Sequence, residues 1–252
     1  MPVRLEVYKS RVADLWTDVD LEKDLKAASV QVHAQLEGQH GGSAVIRIGL
    51  KGKTVAEEKV DVGDDGVAHA TFKVQSPDLW WPHGYGTQQR YEISAAIMDG
   101  TTEVHSVTKK IGLRKAELVQ QPDKHGKSFY FRINNVDVFC GGSDWIPADS
   151  FTPRITDAKY RRWLELMVDG NQVMIRNWGG GIWEPEIFYD LCDELGIMVS
   201  MYVQVYPNLL TSSRSGKTSS LDAATTQHSQ LFSNRSRKKL LVNSSVYATI
   251  LQ

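Results

Sequence analysis

Long apolar runs are missing from these 252 residues; no stretch approaches the roughly 18 residues of a membrane span. The opening MPVRLEVYKSR holds no apolar segment that would serve as a signal peptide, so no membrane partner is expected and the cytoplasm is the default compartment. Cysteine is scarce. Cys140 and Cys192 alone exclude a disulfide scaffold and a Cys-rich zinc site, and both read as buried thiols. Net charge is nearly absent: 29 Lys and Arg against 30 Asp and Glu leave −1, without the clustered basic excess of a nucleic-acid module. Glutamate is absent after Glu194 and tryptophan after Trp183. What is present is 41% hydrophobic residues, enough for a sizeable core.

These absences are unevenly distributed. Residues 1–199 hold 23 basic and 29 acidic side chains, or −6, whereas residues 200–252 hold six basic residues and Asp222 alone, or +5. Sixteen of those last 53 residues are Ser or Thr. The shift marks a boundary, and the segment beyond it reads as a poorly ordered tail.

Before the boundary the chain has two rhythms. From residue 4 to about 112 apolar and polar side chains alternate. Val30, Val32, Ala34 and Leu36 share one face of Ser29–Gly38, and Ala44, Ile46, Ile48 and Leu50 share one face of Ala44–Gly52. Val67–Val74 and Arg90–Gly100 follow, with turn residues at Gly41-Gly42, Gly63–Gly66 and Asp99-Gly100. Period-two runs separated by turns predict an antiparallel sandwich. From residue 128 a strand at Val136–Cys140 leads through a loop to a helix over Thr156–Asp169. Thr156 is its N-cap, and Tyr160, Trp163, Leu164 and Met167 form one face. A strand at Gln172–Arg176, a loop Trp178-Gly179-Gly180-Gly181, a second helix opened by Pro185 and closed by Gly196, and a third strand from Ile197 complete a β-α-β-α-β order, the start of a parallel α/β unit.

In such units reactive groups gather at the C-terminal strand ends and the following loops. Two loops fit: Gly141–Ser150 and Arg176–Glu186. Both set Trp beside charged residues, as a sugar site does, with an aromatic plate for the apolar ring face and charges for hydroxyls. Trp145 and Trp183 are either such plates or rim packing. Arg176 either tunes a neighbouring carboxylate or forms a structural ion pair. Among Asp144, Asp149, Glu184 and Glu186 no general acid stands out: Glu184 and Glu186 sit at a helix start, which favours their charged form. They read as tethers, and Asp144 and Asp149 as loop braces. His83 lacks partners at metal-ligand spacing and reads as structural or interfacial. No metal and no cofactor is assigned.

The stretches PDLWWPHGYGTQQRYEI (Pro77–Ile93), FRINNVDVFCGGSDWIPADSF (Phe131–Phe151) and MIRNWGGGIWEPEIFYDLCDELGIMV (Met174–Val199) resemble the β-mannosidase branch of glycoside hydrolase family 2, and the resemblance runs over about residues 2–199. It implies that residues 1–11 join a preceding sandwich domain. Residues 12–112 are then an immunoglobulin-like sandwich, and residues 113–199 the first three β/α units of an incomplete TIM (β/α)8 barrel. It implies retaining hydrolysis of terminal, non-reducing β-D-mannose, with Trp178 lining the sugar subsite, Arg176 supporting it, and Asp144 and Trp145 on its rim; Trp183 is a further substrate-binding candidate. The family's acid/base lies in an Asn-Asn-Glu motif after strand four and its nucleophile near strand seven. No Asn-Asn-Glu occurs here, so no catalytic residue is assigned. A barrel takes about 250 residues, and about 140 follow residue 112. The resemblance stops at residue 199, leading to the expectation that residues 200–252 come from a shifted reading frame, a retained intron or a faulty gene model. The alternative function is a non-catalytic carbohydrate-binding or interaction module.

Overall fold

The computed structural model describes residues 7–38, 43–202 and 248–251. Its first part is a sandwich of seven strands: β1 (Ser10–Leu21), β2 (Ala27–Gly38), β3 (Ser43–Leu50), β4 (Lys53–Asp61), β5 (Val67–Gln75), β6 (Tyr91–Asp99) and β7 (Thr102–Ile111). They form two antiparallel sheets, ordered β1-β2-β5 and β4-β3-β6-β7. The alternation read from the sequence is the inward face. Val30, Val32, Ala34, Ala44, Ile46, Ile48 and Ile93 are fully buried in one apolar core between the sheets. Each Ile or Val so buried contributes roughly 1.5–3 kcal/mol relative to exposure.

Three strands lack a clean alternation in sequence. In β1 both Val12 and Leu15 face inward, although three residues apart, because the pairing with β2 shifts register between Val12 and Asp14. A bulge of this kind resets the phase. β4 is an edge strand, mostly exposed and charged at Glu57, Glu58 and Lys59, which discourages pairing with another chain. β7 is the opposite edge of the same sheet. The turn at Gly41-Gly42 lies outside the described residues. At Lys51-Gly52, which joins β3 to β4, both residues have positive φ, 52° and 75°, the backbone of a tight hairpin.

A small antiparallel sheet follows, made of β8 (Ala116–Val119), β11 (Tyr130–Ile133) and β12 (Val136–Val138), with a two-residue ladder of β9 (Pro122–Asp123) and β10 (Gly126–Lys127) at its tip. This corrects the expectation of a first α/β strand at Val136–Cys140. Asn134 and Asn135 both take left-handed backbone, φ 48° and 66°, as Asn does in a two-residue hairpin turn. The chain therefore doubles back, and Val136–Val138 pairs with β11.

The parallel unit begins instead at β13 (Gly142–Trp145). It continues through the short 3-10 turn Thr152–Arg154, α1 (Asp157–Asp169), β14 (Met174–Asn177), α2 (Glu186–Leu195) and β15 (Met198–Tyr202). β13, β14 and β15 are parallel neighbours. Thr156 caps α1, its side chain accepting the backbone N–H of Lys159. Tyr160, Leu164 and Met167 are buried as expected, but Trp163 is 48% exposed. The 100° rotation per residue puts Trp163 on the edge of the apolar face, beside a hollow of about 460 Å³ that it lines with Ile146, Pro147 and Leu166. Pro185 is the N-cap of α2 rather than its first helical residue, and Gly196 ends the helix in left-handed conformation. Cys192 is buried; Cys140 is only half-buried.

β16 (Ala248–Leu251) pairs antiparallel with β15, Val199 lying opposite Leu251. These four residues pair with an edge that otherwise offers free N–H and C=O groups. Residues 203–247, where the rest of the expected tail falls, lie outside the described residues.

The sandwich and the parallel unit are joined through a buried contact. Trp80, fully buried, donates from Nε1 to the Asp193 carbonyl at 2.7 Å, and Arg114 lies 4.3 Å over its ring. Asn134 donates to the Trp80 carbonyl while accepting from the Lys115 N–H. The His83 N–H bonds the Gly196 carbonyl, so His83 sits where the two parts meet.

Candidate functional site

The expected site residues lie on the C-terminal ends of β13 and β14 and on the loop after β14. Asp144 and Arg176 are register partners on these neighbouring parallel strands. Their side chains face solvent, and Arg176 Nη1 donates to Asp144 Oδ1 at 3.1 Å. With more than half of each side chain exposed, the pair adds little stability. Its effect is to hold the two groups against each other, the guanidinium keeping donors free toward solvent.

The loop after β14 is built around Trp178. Its backbone N–H bonds the Trp145 carbonyl, extending the strand pairing by one residue, and its carbonyl accepts from Gly181. The indole lies back over Gly180, where a Cβ would meet the ring at 2.6 Å. Glycine there is what allows the ring to fold onto its own loop. Trp178 remains 47% exposed and Trp183 is 61% exposed, so both present an aromatic surface. Asn177, buried at the end of β14, ties the loop down by donating to the Ile182 carbonyl at 3.4 Å.

Trp145 is placed differently. It is 5% exposed, packed 5.0 Å from Phe188 and 6.3 Å from Tyr160 between ring centroids. Its Nε1 donates to Glu184 at 2.9 Å, and the Tyr160 hydroxyl donates to the other oxygen of the same carboxyl at 2.5 Å. Burial, and then Glu184 itself, push the Tyr160 phenol far above its ordinary range, so it remains a donor. Of the two alternatives open for Trp145, the ring occupies the packing one. It offers no open face but carries the loop that presents Trp178 and Trp183. Tyr160 and Asn177 were not singled out from the sequence. Tyr160 is marked there only as an apolar-face residue, and nothing local signals that its hydroxyl meets a carboxylate.

Asp149 is engaged in the same way: it accepts from the Phe151 N–H and from Lys159 Nζ, and these bonds, the first above all, hold its carboxyl below the ordinary range. That is the wrong direction for a general acid at neutral pH. Glu186 is exposed in the first turn of α2. Burial pushes the Cys140 thiol up to about 11, which makes it unreactive. Among the described residues no three His, Cys, Asp or Glu side chains converge as a metal site. No helix of the described residues is long and apolar enough to cross a membrane.

Residues 10–114 match the family model described as glycosyl hydrolases family 2. The chain is 53% identical over 221 residues to a protein named Beta-mannosidase B from Neosartorya fischeri, the match covering 84% of this chain and 26% of that one. It is 57% identical over 199 residues to a Beta-mannosidase B from Aspergillus terreus, covering 78% of this chain and 23% of the relative. Among solved structures, that of a β-D-mannosidase from Dictyoglomus thermophilum is similar with a TM-score of 0.69 at 39% identity, over 77% of this chain and 24% of that one. The chain therefore spans about a quarter of the length of these relatives.

Proposed function

We propose that this chain, which carries a glycosyl hydrolases family 2 domain over residues 10–114, supplies one wall of the sugar subsite of a retaining β-mannosidase and neither of the carboxylates that break the bond. The observation that carries the reading is the half-exposed Trp178, set on a glycine-shaped loop beside the solvent-facing Arg176–Asp144 pair. An aromatic plate next to fixed charged groups suits a pyranose, stacking its apolar face and binding its hydroxyls. The names of the relatives point to a β-D-mannoside as the substrate, and the family resemblance to its terminal, non-reducing residue as the sugar bound. Arg176 orients, Asp144 accepts from a hydroxyl, Trp183 extends the rim, and Trp145 positions the loop from beneath.

On this reading residues 12–112 are the immunoglobulin-like sandwich, residues 113–199 are the first three β/α units of a TIM barrel and residues 1–11 are a join; the match to the N. fischeri relative over 84% of the chain runs past residue 199, so the departure from the family falls later than the composition shift. Retaining hydrolysis needs two carboxyl groups about 5–5.5 Å apart, one as nucleophile and one as acid/base. Here Asp144 is engaged by Arg176, Asp149 by Phe151 and Lys159, and Glu184 by Trp145 and Tyr160. Among these described loop acids no pair is left for the chemistry.

The wall is tested by substituting the Trp that matches Trp178 in the full-length A. terreus relative. Trp→Ala lowers kcat/KM for a β-mannoside at least 100-fold, roughly the loss of one aromatic platform plus the misplacement it causes. An unchanged kcat/KM refutes the role. A second reading, a non-catalytic carbohydrate-binding module, draws on the exposure of Trp178 and Trp183 together. Calorimetry of this chain with mannobiose separates the two: saturable heat without turnover supports the module.

A further inference from the structure

The outer face of the three-stranded sheet carries a cluster that the sugar site does not use. His33 on β2 and His69 on β5 are direct cross-strand partners, and Trp16 on β1 is the partner of His33 on its other side. The two imidazoles approach Nδ1 to Nδ1 at 2.7 Å. On its far side His33 Nε2 lies 3.1 Å from Asp18 Oδ2. A carboxylate only accepts, so Nε2 of His33 carries a proton and donates it. In the neutral ring Nδ1 of His33 is then a bare lone pair, directed at Nδ1 of His69.

The His33 ring is fixed by more than that hydrogen bond. The Trp16 indole stacks on it at 5.2 Å and 16°, and only 17% of its side chain is exposed. The His69 ring meets it edge-on at 4.9 Å and 81°, and His69 is exposed, which leaves an entry path from solvent. One ligand is therefore held by a carboxylate behind it and the second stands opposite on a rigid ladder, the arrangement by which carboxylates orient metal-bound histidines.

We propose that His33 and His69 form a two-imidazole site for a divalent transition cation of the copper, nickel or zinc type, with Asp18 as the residue that orients His33. The cation takes the place of the proton shared between the two Nδ1 atoms, and His69 moves that proton to its solvent-facing Nε2. With metal–nitrogen bonds of about 2.0–2.1 Å at a tetrahedral angle, the nitrogens stand about 3.3 Å apart. The rings thus separate by roughly 0.6 Å, a displacement that an exposed His69 permits. Water completes the shell. With half the protein ligands of a closed zinc site, the affinity is on the order of 10 μM, in the order copper above nickel and zinc, with calcium and magnesium excluded by ligand type. Bound there, the cation staples β2 to β5 and raises the melting temperature, since it binds only the folded sheet.

Calorimetric titration of the purified full chain with ZnCl₂ or NiCl₂ tests this, with far-UV circular dichroism confirming that each variant is folded. The parent is expected to bind one equivalent that His69→Ala abolishes, that Asp18→Asn weakens about tenfold, and that His125→Ala leaves unchanged. In a copper titration the emission of Trp16 falls with the same midpoint, and Trp16→Phe removes that quenching. Binding that is unaltered by His69→Ala, or no binding up to 1 mM metal, overturns the proposal. An Asp18→Asn variant with the parent's affinity removes Asp18 from it.

Discussion

At the scale of single residues, Glu184 and Trp80 carry the sharpest consequences. Glu184 is 2% exposed, and its two oxygens satisfy two buried donors on different elements, Trp145 of β13 and Tyr160 of α1. Glu184→Ala leaves both donors unpaired. At about 1–3 kcal/mol for each such group, denaturant unfolding should show a loss of roughly 2–6 kcal/mol. Glu184→Gln, which keeps one acceptor, should lose about half of that; a loss below about 0.5 kcal/mol for the Ala variant would show that the bonds are not made. Trp80→Ala empties the contact between the sandwich and the parallel unit and removes the donor to Asp193, so roughly 3–5 kcal/mol is expected by the same measurement. Little of this was legible in sequence. Glu184 reads as a tether there, which is its place in the structure, but the tether's partners are 39 and 24 residues away. Trp145 could not be assigned between plate and packing, because local pattern says that a Trp is buried or exposed only on average.

At the scale of elements, alternation and caps were legible and phase changes were not. The buried faces of β2 and β3, the Thr156 cap of α1 and the Gly196 stop of α2 follow from local rules. The phase of β1 did not, because a bulge interrupts it, nor did the hairpin at Asn134-Asn135, which displaced the first parallel strand to Gly142–Trp145. Gly142 is what allows β13 to lie against β14: a Cβ there would stand 1.7 Å from the Met174 carbonyl oxygen. Gly142→Ala should therefore cost about 1–3 kcal/mol or more and raise hydrogen exchange at the N–H groups of β13 and β14 ahead of the sandwich; uniform exchange would contradict it. The helices are tied by Glu194 of α2, which Arg161 of α1, by hydrogen bond and charge, and then Arg90 hold below the ordinary 4.5 of a carboxyl. A depressed carboxyl contributes stability that is complete above its unfolded value and is lost as pH falls through the lower folded value. The acid-side decline of melting temperature below about pH 4.5 should be shallower in Glu194→Gln. Because Glu194 is partly exposed, added salt should narrow the difference.

At the scale of the whole molecule, the described residues form a seven-stranded sandwich joined to three parallel strands and two α-helices, and the chain spans about a quarter of the length of its β-mannosidase relatives. That architecture, sandwich then parallel α/β, was readable from the helical period that begins after Thr156, since period two and period 3.6 demand different backbones. The antiparallel β16 on β15 was not readable, because Ala248–Leu251 has no local signal beyond its short apolar run. On the proposed function, sugar-facing side chains and bond-breaking carboxylates are separable, and these 252 residues hold only the former. The most direct measurement is release of 4-nitrophenol from 4-nitrophenyl β-D-mannoside by the purified chain, with a full-length fungal β-mannosidase as positive control. The account predicts no release above buffer at any enzyme concentration. Saturable release that scales with the concentration of this chain would contradict it.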